Sequence, residues 1–274
     1  MLTNEKDLID LAVSGDRNAL EELINEIQEM IYNLSLRMLG SPHDAEDASQ
    51  EIFIKVIRGL PQFRRESAFS TWAYRIAVNC LYDYRKSMFA ERPLSFEFYA
   101  EDIKQGFIEV KSEQLREVDE NLLADELKQS CTNVMLQCLD AESRCIYVLG
   151  TMFHMDSRIA GEILGMNAET YRQRLVRTRK RMGEFLQEYC GLAEGGCNCR
   201  KRVGYAILNG RLIPDHLEYT LLGRLGEEDS DSLLQTMEQL DTVSLLFSNL
   251  PKYKAPKTAR EFIELLHTAG NLMA

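Results

Sequence analysis

Apolar residues along this chain recur mainly at spacings of three and four, which is the period of an α-helix. Leu20, Leu23 and Ile27 begin one such stripe, which continues to Met38. Gly40 favours the end of that helix, because glycine adopts the left-handed backbone of a helix C-terminus without strain. We find no alternating strand pattern and no internal repeat in the sequence, so the pattern predicts an all-α fold.

The next helices are indicated by residues that favour helix ends. Ser41 followed by Pro42 predicts the start of a second helix that runs to about Leu60. Residues 61–70 form a polar, basic loop, and a third helix is predicted over residues 71–87. The following stretch is acidic and less periodic, which is typical of a connector with partial helix.

Composition narrows the class of protein. The chain has 274 residues, of which 45% are hydrophobic and 27% charged, and this suits one to three small globular domains. The first residues lack the pattern of a signal peptide, and no apolar run approaches the ~20 residues of a membrane helix. The seven cysteines are therefore expected to be reduced thiols or metal ligands of a cytoplasmic protein that does not insert into membranes.

The net charge of −11 is distributed unevenly. Residues 55–86 hold seven Lys/Arg and two Asp/Glu, and residues 168–182 hold six Lys/Arg and one Glu. Residues 91–128 hold eleven acidic and five basic side chains. Two basic segments separated by an acidic connector are typical of a protein that binds DNA at two sites, although the solvated faces of ordinary helices would give the same distribution.

Residues 156–182 have the pattern of a helix-turn-helix. Ile159 and Ile163 form an apolar pair, Gly165 permits a tight turn, and Asn167 is a cap for a helix that runs to about Tyr189. Apolar side chains on one face of that helix are opposed by three arginines on the other, namely Arg174, Arg177 and Arg181. Arginine pairs with guanine and with phosphate, so the pattern favours a DNA recognition helix over a plain amphipathic hairpin.

Two stretches of the sequence resemble one known family. The run from Ala45 to Lys86, AEDASQEIFIKVIRGLPQFRRESAFSTWAYRIAVNCLYDYRK, resembles region 2 of the extracytoplasmic-function (ECF) sigma factors of RNA polymerase, and residues 12–44 extend it. The run from Leu139 to Met182 resembles region 4 of the same family. The resemblance implies a bacterial initiation subunit and not an enzyme. Its partners would be core RNA polymerase and promoter DNA, with an anti-sigma factor as a further candidate.

The resemblance also implies roles for particular residues. Polymerase is expected to dock on a helix face formed by Asp44, Glu46, Asp47, Gln50 and Glu51. The minus-ten promoter element is expected to meet Arg64, Arg65, Glu66, Ser67, Phe69, Trp72, Arg75, Asn79, Asp83, Arg85 and Lys86. The minus-thirty-five element is expected to meet Asn167, Glu169, Thr170, Arg172, Gln173, Arg174, Arg177 and Arg181. Phe69, Trp72 and Tyr74 could stack on unpaired bases, although the family resemblance favours a supporting role for the tryptophan.

The fold expected from pattern and resemblance together is all-α, with two helical DNA-binding domains and a small, mainly helical C-terminal extension. The domains are sigma region 2 at residues 1–88, an acidic linker at 89–121, region 4 at 122–189, a cysteine-rich junction at 190–203 and the extension at 204–274. In the extension, helices are predicted at about 232–249 and 259–268, the second with a capping box formed by Thr258 and Glu261. We expect this extension to regulate the chain in cis.

The junction carries the chemistry that the family resemblance leaves unexplained. Cys190, Cys197 and Cys199 lie at a spacing that suits a zinc site with a fourth ligand from His216 or another cysteine, although no cofactor is required for the expected function. A redox-active thiol set and unliganded thiols in a turn are alternatives. Three further cysteines, at 131, 138 and 145, are predicted to pack in the core.

Two other functions are compatible with parts of the sequence. A one-component regulator would bind promoters through the helix-turn-helix without polymerase and sense metal or redox state through its cysteines. An enzyme would use Asp44, Asp47 and Glu51 as metal ligands, but the sequence has neither a matching Glu-x-x-His pair nor a phosphate-binding glycine loop.

Overall fold

The structure, a computed structural model, describes residues 5–84, 94–106, 119–193, 195–225, 247–248 and 250–268. In these residues the chain is helical, with one isolated antiparallel bridge between Arg224 and Tyr253. The helices are α1 (Glu5–Val13), α2 (Arg17–Leu39), α3 (Pro42–Gly59), α4 (Phe69–Asp83), α5 (Phe96–Gln105), α6 (Glu120–Leu136), α7 (Ala141–Tyr147), α8 (Ser157–Leu164), α9 (Ala168–Tyr189), α10 (Cys199–Leu208) and α11 (Ala259–Thr268). The all-α prediction is confirmed.

Local capping determines most helix boundaries. Gly40 ends α2 with a φ of 76°, and the hydroxyl of Ser41 accepts a hydrogen bond from the backbone N–H of Asp44 at 3.3 Å. In the last described helix, Glu261 and Thr258 form the predicted reciprocal capping box. The predicted helix at 232–249 lies almost entirely outside the described residues.

The helix-turn-helix forms as predicted, with α8 and α9 joined by a short turn. Gly165 has a φ of 67°, and the Asn167 side chain accepts a hydrogen bond from the N–H of Thr170 at 2.8 Å. Ile163 is buried, whereas Ile159 is 43% exposed. Only one residue of the apolar pair therefore packs into the core.

A single hydrophobic core joins the segments predicted as region 2 and region 4. It includes Leu23 of α2, Ala77 of α4, Ile146 of α7 and Met182 of α9. Arg144 adds polar links, because its guanidinium donates to the backbone carbonyls of α2 and of the α6–α7 turn. In this structure the two segments are therefore packed together, and the predicted division into separate domains stays a prediction.

The predicted linker contains α5, which packs on α9. The rings of Phe96 and Tyr99 lie 4.9 and 6.1 Å from the ring of Phe185. On the same helix, the carboxylate of Asp102 accepts hydrogen bonds from Arg202 at 2.8 Å and from Arg211. These buried bonds tie the linker helix to α10 and the loop after it.

The C-terminal extension wraps back over α2 and α3. We call residues 250–258 the strap. Its Tyr253 is completely buried, and the backbone N–H and carbonyl of that residue bond the side-chain amide of Asn33 at 2.8 and 2.7 Å. The strap leads into α11, where the ring of Phe262 packs edge-on against Phe53 of α3 at 5.3 Å. The extension is thus an integral part of the fold.

Candidate polymerase and promoter interfaces

The acidic face predicted to bind polymerase lies along α3. Asp47 and Glu51 are exposed and Asp44 is half-buried. Burial raises the pKa of the nearby Tyr84 hydroxyl, and the charges of these three carboxylates raise it further. The three acidic side chains therefore produce one patch of negative potential at this end of the helix bundle.

The remaining members of that set, Glu46 and Gln50, lie beside the C-terminal extension. Lys257 of the strap forms an ion pair with the carboxylate of Glu46. The same carboxylate accepts a hydrogen bond from the side-chain amide of Gln50 at 3.2 Å. The predicted polymerase face is therefore divided into an open half and a half that the strap occupies.

The loop before α4 carries the first residues predicted for the minus-ten element. Arg64, Arg65 and Glu66 are exposed and Ser67 is half-buried. Arg65 has a φ of 59° and its guanidinium forms an ion pair with Asp10 of α1. The loop is thus held in a defined conformation by α1, with its other charged side chains directed to solvent.

The aromatic residues of this set mainly support the fold. Phe69 is 1% exposed, so its ring lies in the core and cannot stack on a base in this arrangement. Tyr74 is also buried. Trp72 is half-buried, 4.9 Å from the ring of Phe63, and packs against Gly59. The expectation of base stacking is therefore wrong for Phe69 and Tyr74 as the chain stands, because both side chains are needed to fill the core under α4.

The rest of the minus-ten set lies on the outer face of α4. Asn79 and Asp83 are exposed. Arg75 donates hydrogen bonds at 3.2 Å to both the carboxylate and the backbone carbonyl of Glu162, which is on α8 of the helix-turn-helix. Arg85 and Lys86 lie outside the described residues. One predicted DNA-binding surface is therefore partly engaged by the other.

The recognition helix presents the residues predicted for the minus-thirty-five element. Glu169 is bonded to the side chains of Arg172 and Gln173, and Arg172 also donates to Ser157 at 3.1 Å. Arg174 forms an ion pair with Glu142 of α7. Of the remaining members, Asn167 and Thr170 form the helix cap, Arg177 is exposed, and Arg181 lies over the ring of Phe96 at 4.8 Å.

Gly161 is a determinant of this motif that the sequence analysis did not identify. A Cβ atom at this position would lie 2.7 Å from the backbone carbonyl oxygen of Met166, closer than normal packing permits. Glycine therefore allows α8 to approach the turn. The signal in the sequence was the pair Ala160-Gly161, whose small side chains mark a close helix approach.

The cysteine-rich junction folds back on itself. The backbone N–H of Cys197 donates to the carbonyl of Tyr189 at 3.0 Å, and the carbonyl of Cys190 accepts from two N–H groups in the loop between them. All seven cysteines are free thiols. As they stand, the described residues contain no group of three or more His, Cys, Asp or Glu side chains arranged to hold a metal ion.

Comparison with known proteins places part of this chain in a known family. The family described as Sigma-70 region 2 matches residues 23–88, which include α3, α4 and the loop between them. Together with a helix-turn-helix that has an arginine-rich second helix, this match defines a transcription factor of the sigma-70 class.

Full-length relatives define the family more closely. The ECF RNA polymerase sigma-E factor of Haemophilus influenzae is 30% identical over 186 residues, 67% of this chain and 95% of that protein. The ECF RNA polymerase sigma-E factor of Escherichia coli K12 is 31% identical over 186 residues, 66% of this chain and 93% of that protein. The RNA polymerase sigma-H factor of Pseudomonas aeruginosa is 29% identical over 189 residues, 68% of this chain and 97% of that protein. This chain belongs to the family of ECF RNA polymerase sigma factors.

Membership of this family assigns the chain a role in transcription initiation with RNA polymerase. Within the described part of the chain, no helix is long and apolar enough to cross a membrane. About a third of the chain lies outside the matches to these three relatives, so the family alone does not account for it.

Proposed function

We propose that this chain binds core RNA polymerase through the acidic face of α3 and recognises two promoter elements. In this proposal the loop before α4 and the outer face of α4 contact the minus-ten element and assist promoter melting. The outer face of α9 contacts the minus-thirty-five element. The observation that carries the proposal is an arginine-bearing recognition helix held by the same core as a segment that matches Sigma-70 region 2.

Arg177 is the clearest test residue on α9, because it is exposed and its guanidinium donates a long hydrogen bond, of 3.4 Å, to the carbonyl of Gln173 in its own helix. We expect Arg177→Ala to lower the promoter affinity of the holoenzyme by about 1–3 kcal/mol if the side chain meets a base edge. Lys180→Ala is the matched control, since Lys180 is exposed on the same helix and its ammonium lies 3.8 Å from the carboxylate of Glu184.

The measurement is run-off transcription from a promoter library with core polymerase and the full chain, followed by promoter binding at several salt concentrations. Specific transcripts that weaken in the Arg177 variant and persist in the Lys180 variant support the proposal. A chain that binds promoters without polymerase and never supports initiation would instead be the one-component regulator. Equal losses in both variants would show that α9 contributes only general positive charge.

We further infer that the C-terminal extension regulates access to polymerase. Two observations support this. Lys257 of the strap pairs with Glu46, one of the residues expected to contact polymerase, and the strap is fixed to α2 by Asn33 through two backbone hydrogen bonds. A polymerase helix that approaches this face would have to displace the strap.

Charge reversal at Lys257 tests the regulation. In Lys257→Glu the ion pair becomes a repulsion with Glu46, so we expect a less tightly held strap and more transcript per polymerase at limiting sigma concentration. Lys201→Glu makes the same charge change on an exposed position of α10, in the junction before the extension, and should leave transcription unchanged. Equal activity of both variants and the unaltered chain would contradict regulation by the strap. An anti-sigma partner remains a prediction.

A further inference from the structure

The C-terminal extension contacts α2 and α6 through polar side chains that are all buried. We call this set the polar interface, and it consists of Asn33 and Arg37 of α2 and of Glu126, Gln129 and Asn133 of α6. Amide and charged side chains are seldom buried in a protein unless they are hydrogen-bonded or paired with a charge. The groups that satisfy them therefore indicate what holds this part of the fold together.

Glu126 binds the backbone of a short segment of the extension. Its carboxylate accepts hydrogen bonds from the N–H groups of Glu218, Tyr219 and Thr220, at distances from 2.7 to 3.1 Å. Successive N–H groups that point at one carboxylate form an anion-binding turn. The hydroxyl of Tyr219 donates in turn to the carbonyl of Gly40, at the end of α2, at 2.7 Å. This segment is thus bonded to α6 by its backbone and to α2 by a side chain.

The strap joins the same two helices in the opposite sense. The hydroxyl of Tyr253 donates to the side chain of Gln129 in α6. The backbone N–H and carbonyl of Tyr253 are bonded to Asn33 in α2, as described above. Two separate segments of the extension therefore each connect α2 to α6.

Two members of the polar interface, Arg37 and Glu126, are charged groups removed from water. Arg37 donates to the side chain of Asn133 in α6 and to the carbonyl of Pro251 in the strap, both at 2.7 Å. Burial of a charge costs free energy, which well-placed hydrogen bonds offset. The extension supplies part of these bonds for both residues, and water can supply them when the extension leaves. An interface of this kind favours reversible docking, because its release exposes groups that water hydrates.

The position of α6 is coupled to that of the helix-turn-helix. The guanidinium of Arg144 in α7 donates to the carbonyl of Leu136, at the end of α6, at 3.0 Å and to that of Leu139 at 2.9 Å. The hydroxyl of Tyr171 in α9 donates to the carbonyl of Ile146 in α7 at 3.2 Å. A segment that fastens α6 to α2 therefore also restrains the recognition helix.

We propose that the C-terminal extension is a reversible clamp that fastens α6, and with it the helix-turn-helix, to α2. Tyr219 and Tyr253 are its central residues, since each is bonded to both helices. The clamp acts in the free chain, where it adds to the shared hydrophobic core. It needs neither the polymerase contact nor the promoter contacts proposed above, because all of its bonds lie within the chain. Release of the extension removes these bonds together and makes separation of the two segments easier.

The test measures the separation of α2 and α9 in the purified full chain, without polymerase or DNA. Fluorophores are placed at Asn25 of α2 and Gln187 of α9, which are both exposed, as unnatural amino acids so that the native thiols stay unlabelled. Single-molecule energy transfer then gives the fraction of molecules in which the two helices are apart. Glu126→Gln should raise this fraction at least about tenfold, since loss of one hydrogen bond to a charged group is enough for a factor of that size.

Asp125→Asn is the matched control, because it removes the same charge from an exposed neighbouring position on α6. Its separated fraction should equal that of the unaltered chain. The proposal is overturned if Glu126→Gln gives the same fraction as this control. If Glu126→Gln loses helical content by circular dichroism, Tyr253→Phe replaces it with the same two outcomes, because it keeps the buried ring and removes the bond to Gln129.

The affinity of the same variants for core polymerase distinguishes the clamp from the regulation proposed above. A larger separated fraction with unchanged affinity would support the clamp and contradict control of polymerase access by the extension. A higher affinity with an unchanged separated fraction would contradict the clamp and support that control.

Discussion

The strap can be released by replacing Tyr253 with alanine. This side chain is the anchor of the strap, since it is completely buried and the guanidinium of Arg37 lies over its ring at 5.6 Å. Its hydroxyl donates to the side chain of Gln129 in α6. Alanine removes the ring and this hydrogen bond, and leaves the two backbone hydrogen bonds with Asn33 to hold this part of the strap.

The size of the effect follows from these contacts. Replacing a buried aromatic residue by alanine costs about 3–5 kcal/mol, whereas a partly exposed pair such as Lys257–Glu46 contributes about 0–1 kcal/mol. The strap also fits imperfectly, because a cavity of about 20 Å³ lies beneath it and is lined by Gln28 and Tyr32, each with a buried oxygen that lacks a partner. Loss of the Tyr253 anchor should therefore raise the fraction of molecules with a released strap about a hundredfold or more. The increase ends when the strap is released in every molecule.

The assay is the affinity of the labelled full chain for core RNA polymerase, measured by fluorescence anisotropy. If the strap covers the polymerase face, Tyr253→Ala should bind core polymerase more tightly, by up to the factor by which the released fraction rises. Tyr253→Phe is the matched control, because it keeps the ring and leaves only the acceptor on Gln129 unpaired, at a cost of about 1–3 kcal/mol. The expected order of affinity is alanine, then phenylalanine, then the unaltered chain.

Hydrogen exchange supplies the result that would refute this argument. The amides of residues 250–258 should exchange faster in Tyr253→Ala, while those of α2 and α3 keep their protection. If exchange shows that the strap is released but polymerase affinity is unchanged, then the strap does not restrict the polymerase face. If the amides of α2 and α3 also lose their protection from exchange, the alanine variant has disturbed the core. The comparison is then made with Tyr253→Phe, because this variant keeps the ring in the core.

Two further predictions concern stability and are measured by urea unfolding. Gly161→Ala should destabilise the chain by about 1–3 kcal/mol, because the added Cβ meets a backbone carbonyl; Gly196→Ala, which has nothing within 4 Å, should have little effect. Asp102→Asn should cost about 3–5 kcal/mol at neutral pH, because Arg202 is left buried without its partner. Burial raises the pKa of Asp102, but the hydrogen bonds from Arg211 and Arg202 outweigh it and hold that pKa below 3.8. The stabilisation is thus complete above pH 3.8 and is lost as pH falls through the lower folded-state pKa, so the deficit of Asp102→Asn should shrink in acid; a constant deficit would contradict this role.

Features that depend on neighbouring residues could be predicted from the sequence. The cap at Asn167 and the last residue of α9, Tyr189, both agree with the prediction. The capping box of Thr258 and Glu261 is confirmed as well. Each of these rests on hydrogen bonds between residues within about one helical turn, so the local sequence contains the whole of the interaction.

Features that depend on distant residues could not be predicted. Lys257 and Glu46 are separated by 211 positions, and nothing in the pattern around either one indicates the other. Phe69 lies beside a polar loop and a basic helix, which suggested exposure, but its environment is set by α1 packing across the loop.

The contacts between the two segments also indicate what must change before the chain can bind the two promoter elements proposed above. The pairs Arg75–Glu162 and Arg174–Glu142 occupy arginines of both predicted DNA-binding surfaces. Each ion pair is partly exposed, so it contributes about 0–1 kcal/mol to the stability of the fold and weakens as the salt concentration rises. DNA phosphates could therefore replace both carboxylates at a small cost in free energy. The shared hydrophobic core and the bonds from Arg144 to carbonyls of α2 and of the α6–α7 turn are far more costly to break. Separation of the two segments should therefore require the free energy that polymerase supplies when it binds α3, as proposed above. Promoter DNA alone should leave the two segments packed together.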